Sequence, residues 1–161
     1  MRTSDKLWTS LRGSFYFIAK LDPSTDPSTG NMRPSLFNDP ATRGLLESIG
    51  AQLRARGYRT GEPKQGKGCF FLAVKLSGFE LSTLLRRVDL QPVHPKFHLW
   101  TLPHKRGLGK QSLNPSDIED WRLLCDALEE VLTRVLGVEG LQRFSEAEAA
   151  SLARTRVGQK S

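Results

Sequence analysis

Ser77-Gly78-Phe79-Glu80-Leu81-Ser82-Thr83-Leu84-Leu85-Arg86-Arg87-Val88 is the stretch on which the fold turns, because two periodicities coexist in it. Leu81, Leu84, Leu85 and Val88 recur as one face of a helix, and Ser77 with Glu80 has the spacing of a capping box. Leu81, Thr83 and Leu85 also alternate as one face of a strand, with Gly78 placed for a hairpin. The helical stripe is compact and carries its own start signal, so a helix over 77–88 is the preferred reading.

On either side lie better-specified pieces. Phe15-Tyr16-Phe17-Ile18-Ala19-Lys20-Leu21 is too short for a helix and rich in aromatic and branched residues, which predicts a strand. It runs into Asp22-Pro23-Ser24-Thr25-Asp26-Pro27-Ser28-Thr29-Gly30, whose prolines lack amide donors; residues 22–38 read as a flexible loop. Asp39-Pro40 is a helix start, followed by Leu45, Leu46, Ile49 and Leu53 at helical spacing and closed by Gly57. Tyr58-Arg59-Thr60 predicts a short strand, Gly61 to Gly68 a flexible basic connection, and Cys69 to Leu76 a second long strand. On that strand Phe70, Leu72, Val74 and Leu76 share one face, and Cys69, Phe71, Ala73 and Lys75 the other. Lys96-Phe97-His98-Leu99-Trp100-Thr101-Leu102 predicts a further strand.

Ser116 with Glu119 resembles a capping box, and Ile118, Trp121, Leu124, Cys125, Leu128, Val131, Leu132 and Val135 form the broadest apolar stripe in the chain, up to Gly137. Ser145 with Glu148 opens a weaker helix through about Arg154, and residues 157–161 read as a fraying tail. The whole predicts one α+β domain over 1–161, ordered over about 12–137. Its expected form is a two-layer sandwich with an antiparallel four-stranded sheet. With 77–88 helical the order is the ferredoxin-like β-α-β-β-α-β plus C-terminal helices; with 77–88 extended it is helix, meander, helix.

Composition narrows the function classes. The net charge is +7, and it is unevenly spread: residues 1–111 hold 18 Lys and Arg against 8 Asp and Glu, residues 112–161 hold 6 against 9. Such a field favours encounter with polyanions or an acidic partner. No run approaches the roughly 18 apolar residues that span a bilayer, and Met1 to Lys6 leads into no apolar segment, so a cytosolic location without membrane contact is expected. Cys69 and Cys125 fall in apolar surroundings and read as core thiols.

Chemical motifs are incomplete. Gly61-Glu62-Pro63-Lys64-Gln65-Gly66-Lys67-Gly68 has the length of a phosphate loop, but Gly68 stands where the magnesium-binding hydroxyl is needed, and strand rather than helix follows. His94, His98, His104, Cys69 and Cys125 lack zinc-site spacing, so no metal or other cofactor is expected. The carboxylates Asp117, Glu119, Asp120, Asp126, Glu129 and Glu130 read as a solvated helix face. No catalytic residue is assigned, which points away from an enzyme and leaves open a site that no motif marks.

Lys67-Gly68-Cys69-Phe70-Phe71-Leu72-Ala73-Val74 partly resembles the third-strand pattern of the RNA-recognition-motif family, K/R-G-F/Y-G/A-F-V-x-F/Y. Lys67, Gly68 and Phe71 agree and Leu72 is similar; Cys69 and Val74 replace aromatics, and Phe70 replaces a small residue. Tyr16 to Leu21 is near the family's first-strand pattern, and the resemblance covers about residues 15–102. It implies base stacking on the sheet. The residues alone allow the same: if Phe71 and one aromatic of the first strand point away from the helices, they offer a stacking surface flanked by Lys67, Lys75, Arg86, Arg87 and Lys96. In the opposing reading Phe15, Phe17, Phe70 and Phe71 are all core, with the C-terminal helix over the second face. The expected function is binding of single-stranded nucleic acid, RNA first, through these six residues. A protein-interaction module, such as an adaptor, inhibitor or immunity-type protein meeting an acidic partner, is the alternative. Nothing in the sequence fixes the oligomeric state.

Overall fold

The computed structural model describes residues 11–20, 40–89, 93–103, 115–145 and 148. Residues 77–88 are extended there. The elements are β1 (Ser14–Ile18), α1 (Pro40–Ala55), β2 (Arg59–Thr60), β3 (Lys64–Gln65), β4 (Phe70–Lys75), β5 (Glu80–Arg87), β6 (Lys96–Pro103), α2 (Pro115–Glu130, continued by a π-helical turn, Val131–Val135) and β7 (Glu139–Phe144). They form one antiparallel sheet in the order β2-β4-β5-β6-β1-β7, with β3 beside β4 as well.

The class is α+β, but the expected four-stranded sheet is corrected to seven strands, and neither the ferredoxin-like order nor the smaller meander describes it. The order implied by the RNA-recognition-motif resemblance falls with it. The reason lies in β5: Leu81, Thr83 and Leu85 are fully buried and Arg87 is 2% exposed, so the alternating period is the one buried, with β4 and β6 completing the ladder on both sides. Ser77 caps no helix. It sits in the β4–β5 turn, where Leu76 N donates to the Phe79 carbonyl (2.9 Å) and the Ser77 hydroxyl donates to Asp120 of α2 (2.8 Å). Gly78 lies close under α2, and a Cβ there would come within 2.3 Å of Asp117 Oδ1, so a larger residue would push that carboxylate aside.

Both helices pack on one face of the sheet. Leu46, Ile49 and Leu53 of α1 and Trp121, Leu124, Cys125 and Leu128 of α2, with Leu132 in the turn that follows, bury against Phe15, Phe17, Phe70, Leu72, Val74, Leu81, Leu85, Phe97 and Leu99. α1 ends in a Schellman motif: Gly57 has φ +94, its N–H donates to the Arg54 carbonyl, and Tyr58 N donates to Leu53. α2 begins at Pro115 and not at a Ser116 cap; Glu119 instead pairs with Arg122. Thr101 ties the layers together, donating to the Gly13 carbonyl (3.0 Å) and accepting from Trp121 Nε1 (2.8 Å).

The Gly61–Gly68 connection, expected to be flexible, is bound to the sheet through β3 and through Gly61 N to the Ala73 carbonyl (2.8 Å). Cys69 and Cys125 are buried and unbridged, and burial pushes the Cys125 thiol up to about 11 against the opposing effect of its hydrogen bond with Thr101. Ser145 and Glu148 form both hydrogen bonds of a capping box (3.0 and 3.1 Å). The loop at 22–38, the basic segment 104–114 and the predicted tail lie outside the described residues, as does most of the helix expected to Arg154. No described helix is long and apolar enough to cross a membrane.

Candidate functional site

Because side chains alternate across a strand, the face turned away from the helices is set by register. One row runs Lys64, Phe71, Leu84, Trp100, Ser14, Phe144; the next runs Arg86, His98, Tyr16, Gln142. Phe71, Leu84, Trp100, His98, Tyr16 and Phe144 are all half-buried, and no described element packs over them. A soluble sheet face of this kind ordinarily alternates to polar residues, so an aromatic face is an observation that asks for a cause.

Three of these rings form a column. Tyr16 stacks on His98 (centroids 4.3 Å apart, planes within 1°), and His98 on Trp100 (4.6 Å, 23°). Phe144 meets Tyr16 edge-on at 5.8 Å. A cation lies near each end: Arg86 Cζ is 5.9 Å from the Trp100 centroid, and Lys96 Nζ is 6.0 Å from that of Tyr16, both at the outer range of cation–π attraction. His98 Nε2 and the Ser14 hydroxyl share a hydrogen bond of 2.8 Å. Burial, and secondarily the positive charge of Arg86, hold the imidazole pKa down at about 4. Nδ1 is closed to solvent with no hydrogen-bond partner among the described residues, so a second proton there would be buried unsatisfied. His98 is a neutral ring at physiological pH.

Charge is arranged differently on the two sides. Arg59, Lys64, Lys75, Arg86 and Lys96 belong to the open face, with Lys67 at its edge in the turn before β4, and none of the six has an ion-pair partner among the described residues. The ion pairs lie elsewhere: Arg43–Glu47 on α1, Arg56–Glu130 between the helices, Arg122 with Glu119 and Asp126 on α2, and Arg143 with Asp126 and Glu129.

Of the six residues expected from the sequence, five fall on or beside this surface. Phe71 is half-buried and points away from α2, Lys75 and Arg86 are exposed, Lys96 is half-buried beside Tyr16, and Lys67 is exposed at the edge. Arg87 is not there. It is one residue from Arg86 and so faces the helix layer, buried opposite Phe97, with Nε donating to the Asp89 carbonyl (3.0 Å). Phe15, Phe17 and Phe70 are core, as the opposing reading had it, but α2 shares the face of α1 and leaves the second face to Phe71.

Tyr16, Trp100, Leu84, His98 and Phe144 were not singled out by sequence. The signal for two of them was the alternation Lys96, His98, Trp100 against Phe97, Leu99, Thr101, in which Lys96 marks the outer face. Among the described residues no three His, Cys, Asp or Glu side chains gather as a metal site requires. The groove lined by Leu11, Arg12, Ile118, Arg122, Asp126 and Arg143 has its arginines engaged, since Arg143 also donates to the Arg12 carbonyl (2.6 Å) and Arg12 pairs with Glu148. No protein-family model matches the chain, and no curated protein or solved structure matches it either.

Proposed function

We propose that the chain binds single-stranded nucleic acid, RNA first, across the open sheet face, in a cytosolic setting. The observation that supports this reading is the coincidence, on a face that no described element covers, of half-buried rings with cations that have no carboxylate partners among the described residues. A cation already paired within the protein gains little from a phosphate, whereas an unpaired one releases the phosphate's counterion at no internal cost. Lys64, Lys75 and Arg59 border one end of the face and Arg86 and Lys96 the other, so a flexible strand can follow the charges while its bases reach the rings. The rings within the Tyr16–His98–Trp100 column already spend their inner faces on one another, which leaves Phe71 and the outer face of Trp100 for bases.

Fluorescence anisotropy of labelled U12 RNA and dT12 DNA over a salt series tests this. Affinity should fall with salt at a log–log slope of about −0.7 per neutralised phosphate, and Lys75→Ala and Lys64→Ala should each reduce that slope. Phe71→Ala should weaken binding further, since base–aromatic stacking is worth about 1–3 kcal/mol. Absence of binding near physiological salt overturns the proposal. So does heparin bound as tightly as RNA and indifferent to Phe71→Ala, and poly-glutamate preferred over RNA would favour an acidic protein partner instead.

A further inference from the structure

Within that surface the geometry points to a slot for one nucleobase, walled by Phe71 and Trp100, floored by Leu84 and read by Arg86, with guanine as its preferred occupant. The inference rests on the nucleic-acid reading and adds base selectivity to it. Phe71 on β4, Leu84 on β5 and Trp100 on β6 are direct register partners on one face. Adjacent strands lie about 4.8 Å apart, so the two ring-bearing strands are about 10 Å apart with the shorter Leu84 between them. A base held between two rings needs two stacking spacings of about 3.4 Å each. A gap of about 10 Å is therefore wide enough for one base, which needs about 7 Å.

The walls are positioned before any ligand arrives. Trp100 is backed on its inner side by His98, and Gly66 lies against Phe71, where a Cβ would come 3.3 Å from Phe71 Cδ1. Among the described residues Phe71 stacks on no other ring, so its face toward the slot is available. The guanidinium of Arg86 rests near Trp100 in the free protein and must move aside as a base enters. Arg86 is exposed, has no carboxylate partner among the described residues, and is free to turn to the base edge.

The chemistry of the reader sets the preference. On β5 the residues sharing this face are Glu80, Ser82, Leu84 and Arg86; Lys64, the register partner of Phe71, also lies beside the slot, but Arg86 is the group there that offers a rigid pair of donors with no acceptor. Paired donors fit a base edge that carries two adjacent acceptors. Guanine offers O6 and N7, while adenine sets an amino donor beside N7 and uracil separates its carbonyls by an N–H. Cytosine also has two adjacent acceptors but a smaller stacking surface, so it ranks second.

The experiment uses the full chain and labelled nine-nucleotide RNAs, all uridine except the central position, which is G, A, C, U, inosine or 7-deazaguanine. The G-centred strand should bind about 10-fold tighter than the U-centred one. Inosine, which keeps O6 and N7, should retain most of that preference, and 7-deazaguanine, which lacks N7, should lose it. Arg86→Lys keeps the charge and loses the fork, so the ratio of G-centred to U-centred affinity should fall from about 10-fold to about one. Leu84→Phe raises the floor and should do the same by filling the slot. U9 bound without base preference, or a preference that survives Arg86→Lys, overturns the slot and leaves the parent reading standing. Failure of every nine-mer to bind overturns both.

Discussion

On the helix side of the sheet arginines come with carboxylates: Arg143 reaches Asp126 at 2.8 Å over the buried ring of Phe15, and Arg56 reaches Glu130 at 3.2 Å. On the other side Arg86 and Lys96 come with aromatic rings and have no ion-pair partner among the described residues. The same sheet carries both, and neighbouring residues such as Arg86 and Arg87 differ only in which way the strand turns them. A charged side chain enclosed by protein must find polar partners inside the fold, as Arg87 does by donating to the Asp89 main-chain carbonyl. One left at the open face is answered by solvent or by whatever arrives. The face without internal answers is the one able to gain from a polyanion.

The comparison is most severely tested by neighbours on one strand. Leu85→Ala empties a fully buried site and should cost about 2–5 kcal/mol, whereas Leu84→Ala on the opposite face should cost about 1 kcal/mol or less. Urea unfolding of the two variants measures both, and equal losses would mean that the open face is itself core.

Next in size is the effect of acid on the ring column. The folded pKa of His98 lies below its ordinary value of 6.5, so the neutral ring is the form the fold favours. Its contribution to stability is full above pH 6.5, declines as pH falls from there, and is gone below about 4, a loss on the order of 3 kcal/mol for a shift of this size. The difference between the pH–stability curves of the wild type and His98→Phe isolates it from the carboxylates common to both. Curves that stay parallel from pH 7 to 4 would contradict a buried neutral imidazole.

Smaller again is Thr101→Val, which removes the acceptor for Trp121 Nε1 and leaves a buried donor unanswered. The expected loss is about 1–3 kcal/mol, with RNA binding unchanged because Thr101 faces the helices. A loss of binding at unchanged stability would show that the two faces are coupled. At the bottom of the scale, Lys75→Ala should leave the urea midpoint where it is and register only in the salt dependence of RNA binding.

Much of this was legible in the sequence where period and boundary signals agreed. The helix from Pro40 to Gly57 has both, and so does the stripe from Trp121 to Leu132. β5 was not, because Leu81 and Leu85 satisfy both periods and Leu84 completes a helical stripe, while the polar Thr83 and Arg87 on its buried face disguise the alternation. β7 was missed for a related reason: Glu139-Gly140-Leu141-Gln142-Arg143-Phe144 pairs with β1 alone and shows no run of apolar residues. In the candidate site Phe71 and Lys75 could be placed on one face from alternation. On β6 both faces are aromatic, and Lys96 was the single sign that His98 and Trp100, not Phe97, lie outside.

The place of β1 has a consequence for synthesis. Its partners are β6 and β7, whose first residues are Lys96 and Glu139, so the aromatic strand Phe15-Tyr16-Phe17 leaves the ribosome long before anything can pair with it. At about 5–20 residues per second, the roughly eighty residues up to β6 take on the order of 4–16 s. During that interval α1 and the β4–β5 hairpin can form from local contacts, while the first strand stays unpaired. A nascent chain stalled before Lys96 should therefore be a better client for a holdase chaperone than one stalled after Phe144.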